Sequence, residues 1–233
     1  MNAVITGASV GIGYNLALKL ANLGYDLYLT YYSNQTNILK LKEKIENETK
    51  VKCYINKLDL KDEQNIIEVC HDILTKFSKI NILVNNASIS NDNLFLDKTK
   101  EEFMQVLEVN VVGTFLMTKY LIENIEDFVI NMSSTDGIDT YSIYNLDYAI
   151  SKSAIIQLTK SMSLIFPNIK TIAIAPNWVE TESTLEIDKT YLENELKRIG
   201  QEKLISIDTV SNKIIDIIKN NNIKSGEVIK IYE

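Results

Sequence analysis

Short apolar runs alternate with longer segments of helical periodicity along the whole chain of 233 residues. The short runs predict buried strands, and apolar residues spaced three and four apart predict helices. The predicted strands are Asn2–Thr6, Asp26–Thr30, Val51–Asn56, Ile80–Val84, Phe128–Met132, Lys170–Ala175 and Val228–Ile231. The predicted helices span 11–23, 35–47, 62–78, 99–124, 145–166 and 208–221.

This alternation predicts an α/β fold. Seven strands joined by six crossovers indicate a doubly wound parallel sheet of the Rossmann type, with helices on both faces. Such a sheet binds ligands beyond the carboxyl ends of its strands. Segment 176–205 departs from the rhythm and is predicted to form a substrate lid within a single domain, 1–233.

Composition argues against several classes of partner. The net charge of −7 argues against nucleic acid or an anionic membrane. No apolar segment approaches the roughly 18 residues of a membrane span, and Met1 leads almost directly into the first strand, so no targeting segment is expected. Cys53 and Cys70 fit no metal-binding spacing and are expected to be buried free thiols in a cytoplasmic protein.

Glycines occupy three positions between the first predicted strand and the first predicted helix, in Thr-Gly-Ala-Ser-Val-Gly-Ile-Gly at 6–13. A pyrophosphate binds well at a helix start, where free N–H groups and the dipole supply about half a positive charge. Gly11 and Gly13 are expected to admit it because they have no β-carbon. A glycine-rich turn without a ligand is the alternative.

Tyr148 and Lys152 lie four residues apart in a predicted helix, so their side chains project from the same face. A phenol has an ordinary pKa of about 10, and an adjacent cation favours phenolate. The pair is predicted to work as an acid–base, with Lys152 lowering the pKa of Tyr148. The spacing alone also occurs on ordinary surface helices.

Seven motifs follow one another in an order that resembles the short-chain dehydrogenase/reductase family, over essentially the full chain. They are the loop 6–13, Leu58-Asp59-Leu60, Asn85-Asn86-Ala87, Asn110 in Val-Asn-Val-Val-Gly, Ser134, Tyr148 with Lys152, and 176–181. Within that family, the chain is most similar to the 3-oxoacyl-[acyl-carrier-protein] reductase group.

The resemblance implies four catalytic roles. Tyr148 exchanges a proton with the substrate oxygen, and Lys152 lowers the phenol pKa and binds the nicotinamide ribose. Ser134 donates to the substrate oxygen; its competitor Ser133 should point to the opposite face of the strand. Asn110 is expected to interrupt its helix and to hold a water that connects Lys152 to solvent.

The resemblance also implies a dinucleotide cofactor. Asp59 is expected to face the adenine, and Asn86 and Ala87 to line the adenosine through backbone contacts. Val179 and Thr181 are expected to hold the carboxamide. The predicted cofactor-binding set is Gly7, Ser9, Gly11, Ile12, Gly13, Tyr32, Ser33, Asp59, Leu60, Asn86, Ala87, Ser88, Tyr148, Lys152, Pro176, Val179 and Thr181.

Two residues depart from the family pattern. Ser88 stands where a glycine usually follows Asn-Asn-Ala, and it places a side chain where the cofactor approaches. Asn177 stands where a glycine usually follows the proline. Asparagine tolerates left-handed backbone better than most residues, which would preserve the turn.

The choice of cofactor depends on the end of the second strand. An acid there binds the ribose 2′-hydroxyl of NAD(H) and repels a 2′-phosphate. Residues 31–34 are Tyr-Tyr-Ser-Asn, without an acid, which favours NADP(H) over NAD(H), with Ser33 and Asn34 as donors. Val10 offers no cation where many NADPH-using relatives carry arginine or lysine.

These expectations combine into an NADPH-dependent carbonyl reductase acting on a ketone or a 3-oxoacyl thioester. An NAD-linked alcohol dehydrogenase and a catalytically silent dinucleotide-binding protein are the alternatives. An acidic acyl carrier protein would need a basic rim, for which Lys98, Lys100 and Lys189 are candidates, although 180–195 is acidic.

A homodimer or homotetramer is also expected. Helices 99–124 and 145–166 carry apolar residues beyond one core-facing stripe. A helix apolar on two faces is usually buried against both its own sheet and a neighbour.

Overall fold

The computed structural model describes residues 1–141 and 143–232. Within these residues seven strands form one parallel sheet in the order β3-β2-β1-β4-β5-β6-β7. The strands are β1 Asn2–Ile5, β2 Asp26–Tyr31, β3 Cys53–Lys57, β4 Ile80–Asn85, β5 Ile125–Met132, β6 Lys170–Pro176 and β7 Val228–Ile231. The predicted doubly wound α/β fold is confirmed.

The helices follow the predicted order with one interruption. They are α1 Gly11–Asn22, α2 Gln35–Glu48, α3 Glu63–Lys76, α4 Lys100–Leu107, α5 Thr114–Leu121, α6 Leu146–Ile165, α7 Glu182–Leu185, α8 Lys189–Ile199 and α9 Ile207–Asn220. The predicted helix 99–124 is divided into α4 and α5 by a π-helical turn, Glu108–Gly113. Helices α7 and α8 both lie in segment 176–205.

The core lies on both faces of the sheet. Ala3 and Ile5 in β1 pack in a cluster with α1, α2 and α9, while Val4 between them packs in a second cluster with α3, α5 and α6. All three residues are fully buried, and complete burial of a valine or isoleucine side chain stabilises a fold by about 1.5–3 kcal/mol.

The site is positioned by the reversal of strand order beside β1. Strands β1 and β4 are neighbours in the sheet although they are not consecutive in the chain. The connections on the two sides of this point leave in opposite directions, so a crevice opens at the carboxyl ends. Among the helices of the described residues, none is long and apolar enough to cross a bilayer.

Candidate active site

A cavity of about 820 Å³ lies at the carboxyl ends of the strands, and the loops after β1 to β6 contribute to it. The predicted residues that line it are Gly7, Ser9, Gly11, Ile12, Tyr32, Ser33, Asp59, Leu60, Asn86, Ala87, Ser88, Ser134, Tyr148, Lys152, Pro176, Val179 and Thr181. Gly13 and Asn110 are buried and are not among the lining residues. The chain therefore brings nearly the whole predicted set to one place.

The glycines after β1 serve different purposes. Gly7 and Gly11 adopt left-handed backbone, with φ of 65° and 59°, which glycine enters without strain. A β-carbon on Gly7 would lie 2.8 Å from Ala87 Cα, whereas one on Gly11 would meet no atom nearer than 3.6 Å. At Gly13 it would lie 2.6 Å from Asn86 Nδ2. Gly13 therefore permits close packing inside the protein, and its predicted role of admitting pyrophosphate stays a prediction.

The N-terminus of α1 suits an anion. Its N-cap residue is Val10, which offers no side-chain acceptor, and its first turn holds no acidic residue. The first N–H groups of a helix have no partner inside the helix, and the dipole adds positive charge there. Because Gly11 and Ile12 at this end line the cavity, the site fits the pyrophosphate of a dinucleotide.

The loop after β4 is tied to the glycine loop. Asn86 Nδ2 donates to the carbonyls of Thr6 and Gly7 at 3.0 and 2.9 Å. The N–H groups of Asn86 and Ala87 both donate to Thr6 Oγ1, at 3.0 and 3.1 Å. These backbone donors are used inside the protein, so the predicted backbone contacts with adenosine are restricted to carbonyl groups. Thr6, the first residue of the glycine motif, was not among the predicted site residues, and its hydroxyl accepts both of these bonds.

Ser134, Tyr148 and Lys152 meet in the cavity. The Ser134 side chain hydrogen-bonds the Tyr148 phenol. Lys152 Nζ lies 5.1 Å from the centre of the Tyr148 ring and donates to the Met132 carbonyl at 2.9 Å. The competing Ser133 donates its hydroxyl to the Lys152 carbonyl at 2.9 Å. Ser133 thus joins β5 to α6, and Ser134 is the serine beside the phenol.

The electrostatics of Tyr148 differ from the expectation. Burial, and next the charge of Asp136, raise the pKa of Tyr148 above its ordinary value, while the hydrogen bond with Ser134 opposes them. Burial also lowers the pKa of Lys152 to about 8. This structure favours the protonated phenol, and the expected lowering of the Tyr148 pKa by Lys152 stays a prediction.

Asn110 lies in the π-helical turn that interrupts the predicted helix. Its side chain accepts from the N–H of Ile89 at 2.8 Å. It donates to the Ile89 carbonyl at 2.9 Å and to Ser151 Oγ at 3.0 Å. These bonds join the loop after β4 to α6. A water leading from Asn110 to Lys152 stays a prediction.

Several polar residues of the site were not predicted. Asp92, Asp136 and Asn145 line the cavity. Burial raises the pKa of Asp136 to about 6, although Arg198 and a hydrogen bond with Asn145 act in the opposite direction. An aspartate in a loop is ordinarily solvated, so only its place after a strand end could have indicated this.

The end of β2 presents Tyr32 and Ser33 to the cavity. Lys57, the last residue of β3, pairs with Tyr31 across the sheet. Its Nζ lies 5.7 Å from the centre of the Tyr32 ring. A cation therefore stands near the predicted phosphate position even though Val10 provides none.

Two further expectations are corrected. Asn177 has a negative φ and accepts at Oδ1 from Thr135 Oγ1 at 3.1 Å, so the turn after β6 does not use left-handed backbone. The side chain of Lys98 is buried against Asp147 and is not part of a basic rim.

The comparisons agree with this geometry. The model of the short chain dehydrogenase family matches residues 1–192. The 3-oxoacyl-[acyl-carrier-protein] reductases of Aquifex aeolicus and Thermotoga maritima are each 30% identical, over 98% of this chain and 94% of their own. A Sinorhizobium meliloti dehydrogenase/reductase structure matches with a TM-score of 0.92 at 22% identity, covering 99% of this chain and 92% of that one. A Burkholderia cenocepacia short chain dehydrogenase in complex with NADP matches with 0.91 at 21%, covering 98% and 95%. The chain belongs to the short-chain dehydrogenase family of NAD(P)-dependent oxidoreductases.

Proposed function

We propose that the protein is an NADPH-dependent carbonyl reductase. The observation that carries the proposal is the meeting of Ser134, Tyr148 and Lys152 in one cavity with the uncapped N-terminus of α1. When bound, the nicotinamide cofactor would supply a hydride to the carbonyl carbon of the substrate. Tyr148 transfers the phenol proton to the carbonyl oxygen, and the product is an alcohol.

The side chains around Tyr148 support reduction over alcohol oxidation. Burial and the charge of Asp136 raise its pKa, so the phenol keeps its proton near neutral pH, which is the form that carbonyl reduction requires. Ser134 orients the substrate oxygen by donating to it. Lys152, whose pKa burial lowers to about 8, holds the ribose. Segment 176–205 acts as the lid, because Thr181, at the N-cap of α7, lines the cavity.

NADP(H) is the proposed cofactor. Lys57 beside Tyr32 supplies positive charge at the end of β2, where Ser33 can donate to a 2′-phosphate. The Burkholderia relative's complex with NADP supports the same choice.

The proposed substrates are ketones or 3-oxoacyl thioesters. The 30% identical relatives are reductases of 3-oxoacyl groups on acyl carrier protein, which supports a thioester. Little exposed positive charge is available to bind an acidic carrier protein, because Lys98 is buried and the exposed Lys189 lies 3.8 Å from Glu193. A small ketone therefore remains within the proposal.

A homodimer or homotetramer formed through α4, α5 and α6 completes the proposal. Met104, Phe115 and Ile150 expose apolar side chains on these helices. Burial of such residues against a second copy would remove apolar surface from water. A cytoplasmic site of action is supported by the buried free thiols Cys53 and Cys70, since free thiols persist in reducing compartments.

Turnover of a panel of ketones and acetoacetyl thioesters with NADPH and with NADH tests the proposal. At least one compound should accelerate NADPH oxidation, and Tyr148→Phe should reduce that rate by roughly 100-fold. Tyr120→Phe is the matched control, because Tyr120 hydrogen-bonds Glu63 outside the cavity. The proposal is overturned if no carbonyl compound accelerates oxidation of either cofactor.

A further inference from the structure

A carboxylate that the proposed chemistry does not use lies beside the reacting groups. Asp136 sits in the short turn Thr135–Gly137 that follows β5. Its backbone N–H donates to Ser134 Oγ at 3.1 Å, and it lines the same cavity as Tyr148. The negative charge of Asp136 disfavours ionisation of the phenol. Proton transfer by Tyr148 does not require this carboxylate, so another use of it is indicated.

Asn145 supplies a second acceptor on the same wall. This residue lines the cavity and is 8% exposed. Its side chain lies near Asp136 and lowers the pKa of that carboxyl by hydrogen bonding, and only the NH₂ group can donate to a carboxylate. The carbonyl oxygen Oδ1 is buried, and none of the described residues donates to it. A buried acceptor without a partner is unfavourable until a donor binds.

The neighbours of Asp136 supply few hydrogen-bond donors to the Asp136 carboxylate and the Asn145 carbonyl oxygen. Arg198 on α8 is the cation that acts on Asp136. Its Nη2 is already 2.7 Å from Glu195 Oε2, and its Nε donates to both oxygens of Glu195 at 3.1 Å. Glu195 and Asp92 both add negative charge that acts on Asp136. This part of the cavity is rich in acceptors and short of donors.

We infer that Asp136 and Asn145 form a subsite for a hydrogen-bond donor that the substrate carries close to its reacting carbonyl. The substrate is then a hydroxy ketone, whose hydroxyl donates to one of the two acceptors, or an amino ketone, whose ammonium can donate to both; a plain ketone has no donor for either. Either donor could bind Asp136, and a protonated amine would also neutralise its charge. This inference rests on the proposed reductase function.

An isosteric series tests the subsite. Hydroxyacetone, protonated aminoacetone and 2-butanone differ in one group, which is hydroxyl, ammonium or methyl. With NADPH, the wild-type kcat/KM for one or both donor-bearing compounds should exceed that for 2-butanone by at least roughly tenfold. In Asp136→Leu this ratio should fall close to one. Because a merely structural defect would lower all three values together, the ratio is the decisive readout.

Two further variants sharpen the test. Asp136→Asn keeps a side-chain acceptor but loses the charge, so it should retain part of a preference for hydroxyacetone and lose a preference for aminoacetone. Glu186→Gln removes an exposed carboxylate elsewhere in the cavity and should leave the ratios unchanged. Equal wild-type values for the three compounds, or a preference that survives in Asp136→Leu, would overturn the subsite.

Binding separates this inference from the proposed function. If no carbonyl compound is reduced, the proposed function fails, and the subsite is judged by saturation-transfer NMR with propane-1,2-diol, 1-amino-2-propanol and 2-butanol. Selective binding of the diol or the amine to wild-type protein, lost in Asp136→Leu, would support the subsite. Absence of selective binding would overturn it.

Discussion

The ammonium of Lys98 lies 3.0 Å from the carboxylate of Asp147, and their side chains are only 6% and 0% exposed. Lys98 also donates to the carbonyl of Asn91. Asp147 Oδ1 accepts the N–H of Tyr148 at 3.0 Å. The ion pair therefore connects the loop after β4 to the first turn of α6, next to the proposed proton donor.

Lys98→Met should destabilise the protein, because it leaves the Asp147 carboxylate buried without its partner. The expected loss in free energy of unfolding is about 3 kcal/mol, measured by urea denaturation. The double variant Lys98→Met/Asp147→Leu should recover most of it, since no charge then remains buried. Lys100→Met is the exposed control. A double variant no more stable than Lys98→Met would contradict this interpretation.

Asp136→Asn should stabilise the protein at pH 8 and have little effect near pH 4. The folded pKa of about 6 lies above the ordinary value of 3.8. Stability associated with the neutral carboxyl is therefore present below about pH 4 and lost as the pH rises through about 6. At about 1.4 kcal/mol per pKa unit, the limit is roughly 3 kcal/mol, and partial solvation should reduce this to about 1–2 kcal/mol.

Urea unfolding at pH 4.5 and pH 8 measures this difference. Asp216→Asn, an exposed position on α9, is the control for loss of one negative charge. A stabilisation by Asp136→Asn that is equal at both pH values would show that the ionised carboxylate carries no penalty.

The fold was predictable because buried parallel strands are apolar on both faces. Ala3, Val4 and Ile5 alternate between the two sides of the sheet and are all fully buried, so no polar residue interrupts the run. Tyr148 and Lys152 were predictable as neighbours because a helix fixes their spacing.

Contacts between distant parts of the chain could not be predicted in this way. Lys98 and Asp147 are 49 residues apart, and nothing local marks either as buried. Lys57 reaches Tyr32 only because β2 and β3 pair in register. The raised pKa of Tyr148 depends first on burial and next on the charge of Asp136, which no motif identifies. These features follow from tertiary packing and not from local periodicity.

Lys152→Ala should affect both catalysis and cofactor binding. Turnover should fall by at least roughly tenfold, and the NADPH dissociation constant should rise. Both effects are expected because the Lys152 ammonium binds the ribose and also lies beside the Tyr148 phenol. In wild type, NADPH binding should weaken between pH 7 and pH 9, since Lys152 loses its proton near pH 8. Fluorescence titration measures both effects.

The pH dependence of NADPH binding should be smaller in Lys152→Ala. Lys160→Ala, an exposed position on the same helix, is the control and should behave as wild type. If turnover fell while the dissociation constant stayed constant, the contact with the ribose would be wrong.

Phe115→Glu should convert the proposed oligomer to monomer. Phe115 exposes its ring on α5, and a carboxylate in an apolar interface is strongly unfavourable without a partner. Light scattering at micromolar concentration gives the mass. Leu39→Glu, an exposed apolar position on α2, should leave the mass unchanged. A wild-type protein that is already monomeric would refute the interface.

Ser33→Asp should reduce NADPH affinity, because it sets a carboxylate against the 2′-phosphate at the end of β2. At about 4 Å and an effective dielectric near 20, the repulsion is about 4 kcal/mol per charge pair before screening. Salt and exposure reduce it, so a loss of roughly tenfold or more is expected. NADH binding should hold or improve, since aspartate accepts from a ribose hydroxyl.

Lys57→Met tests the same phosphate position by removing a positive charge, whereas Ser33→Asp adds a negative one. Loss of an exposed cation should weaken NADPH binding by roughly fivefold, about 1 kcal/mol, and leave NADH binding unchanged. Lys52→Met is the matched control, because Lys52 is exposed and precedes β3, at the end of the strand opposite Lys57. Equal effects of Lys57→Met on the two cofactors would place the 2′-phosphate elsewhere. If unmodified protein prefers NADH, the assignment of Tyr32 and Ser33 to the 2′-phosphate is wrong. The absence of a cation at Val10 would then correctly indicate the preference for NADH.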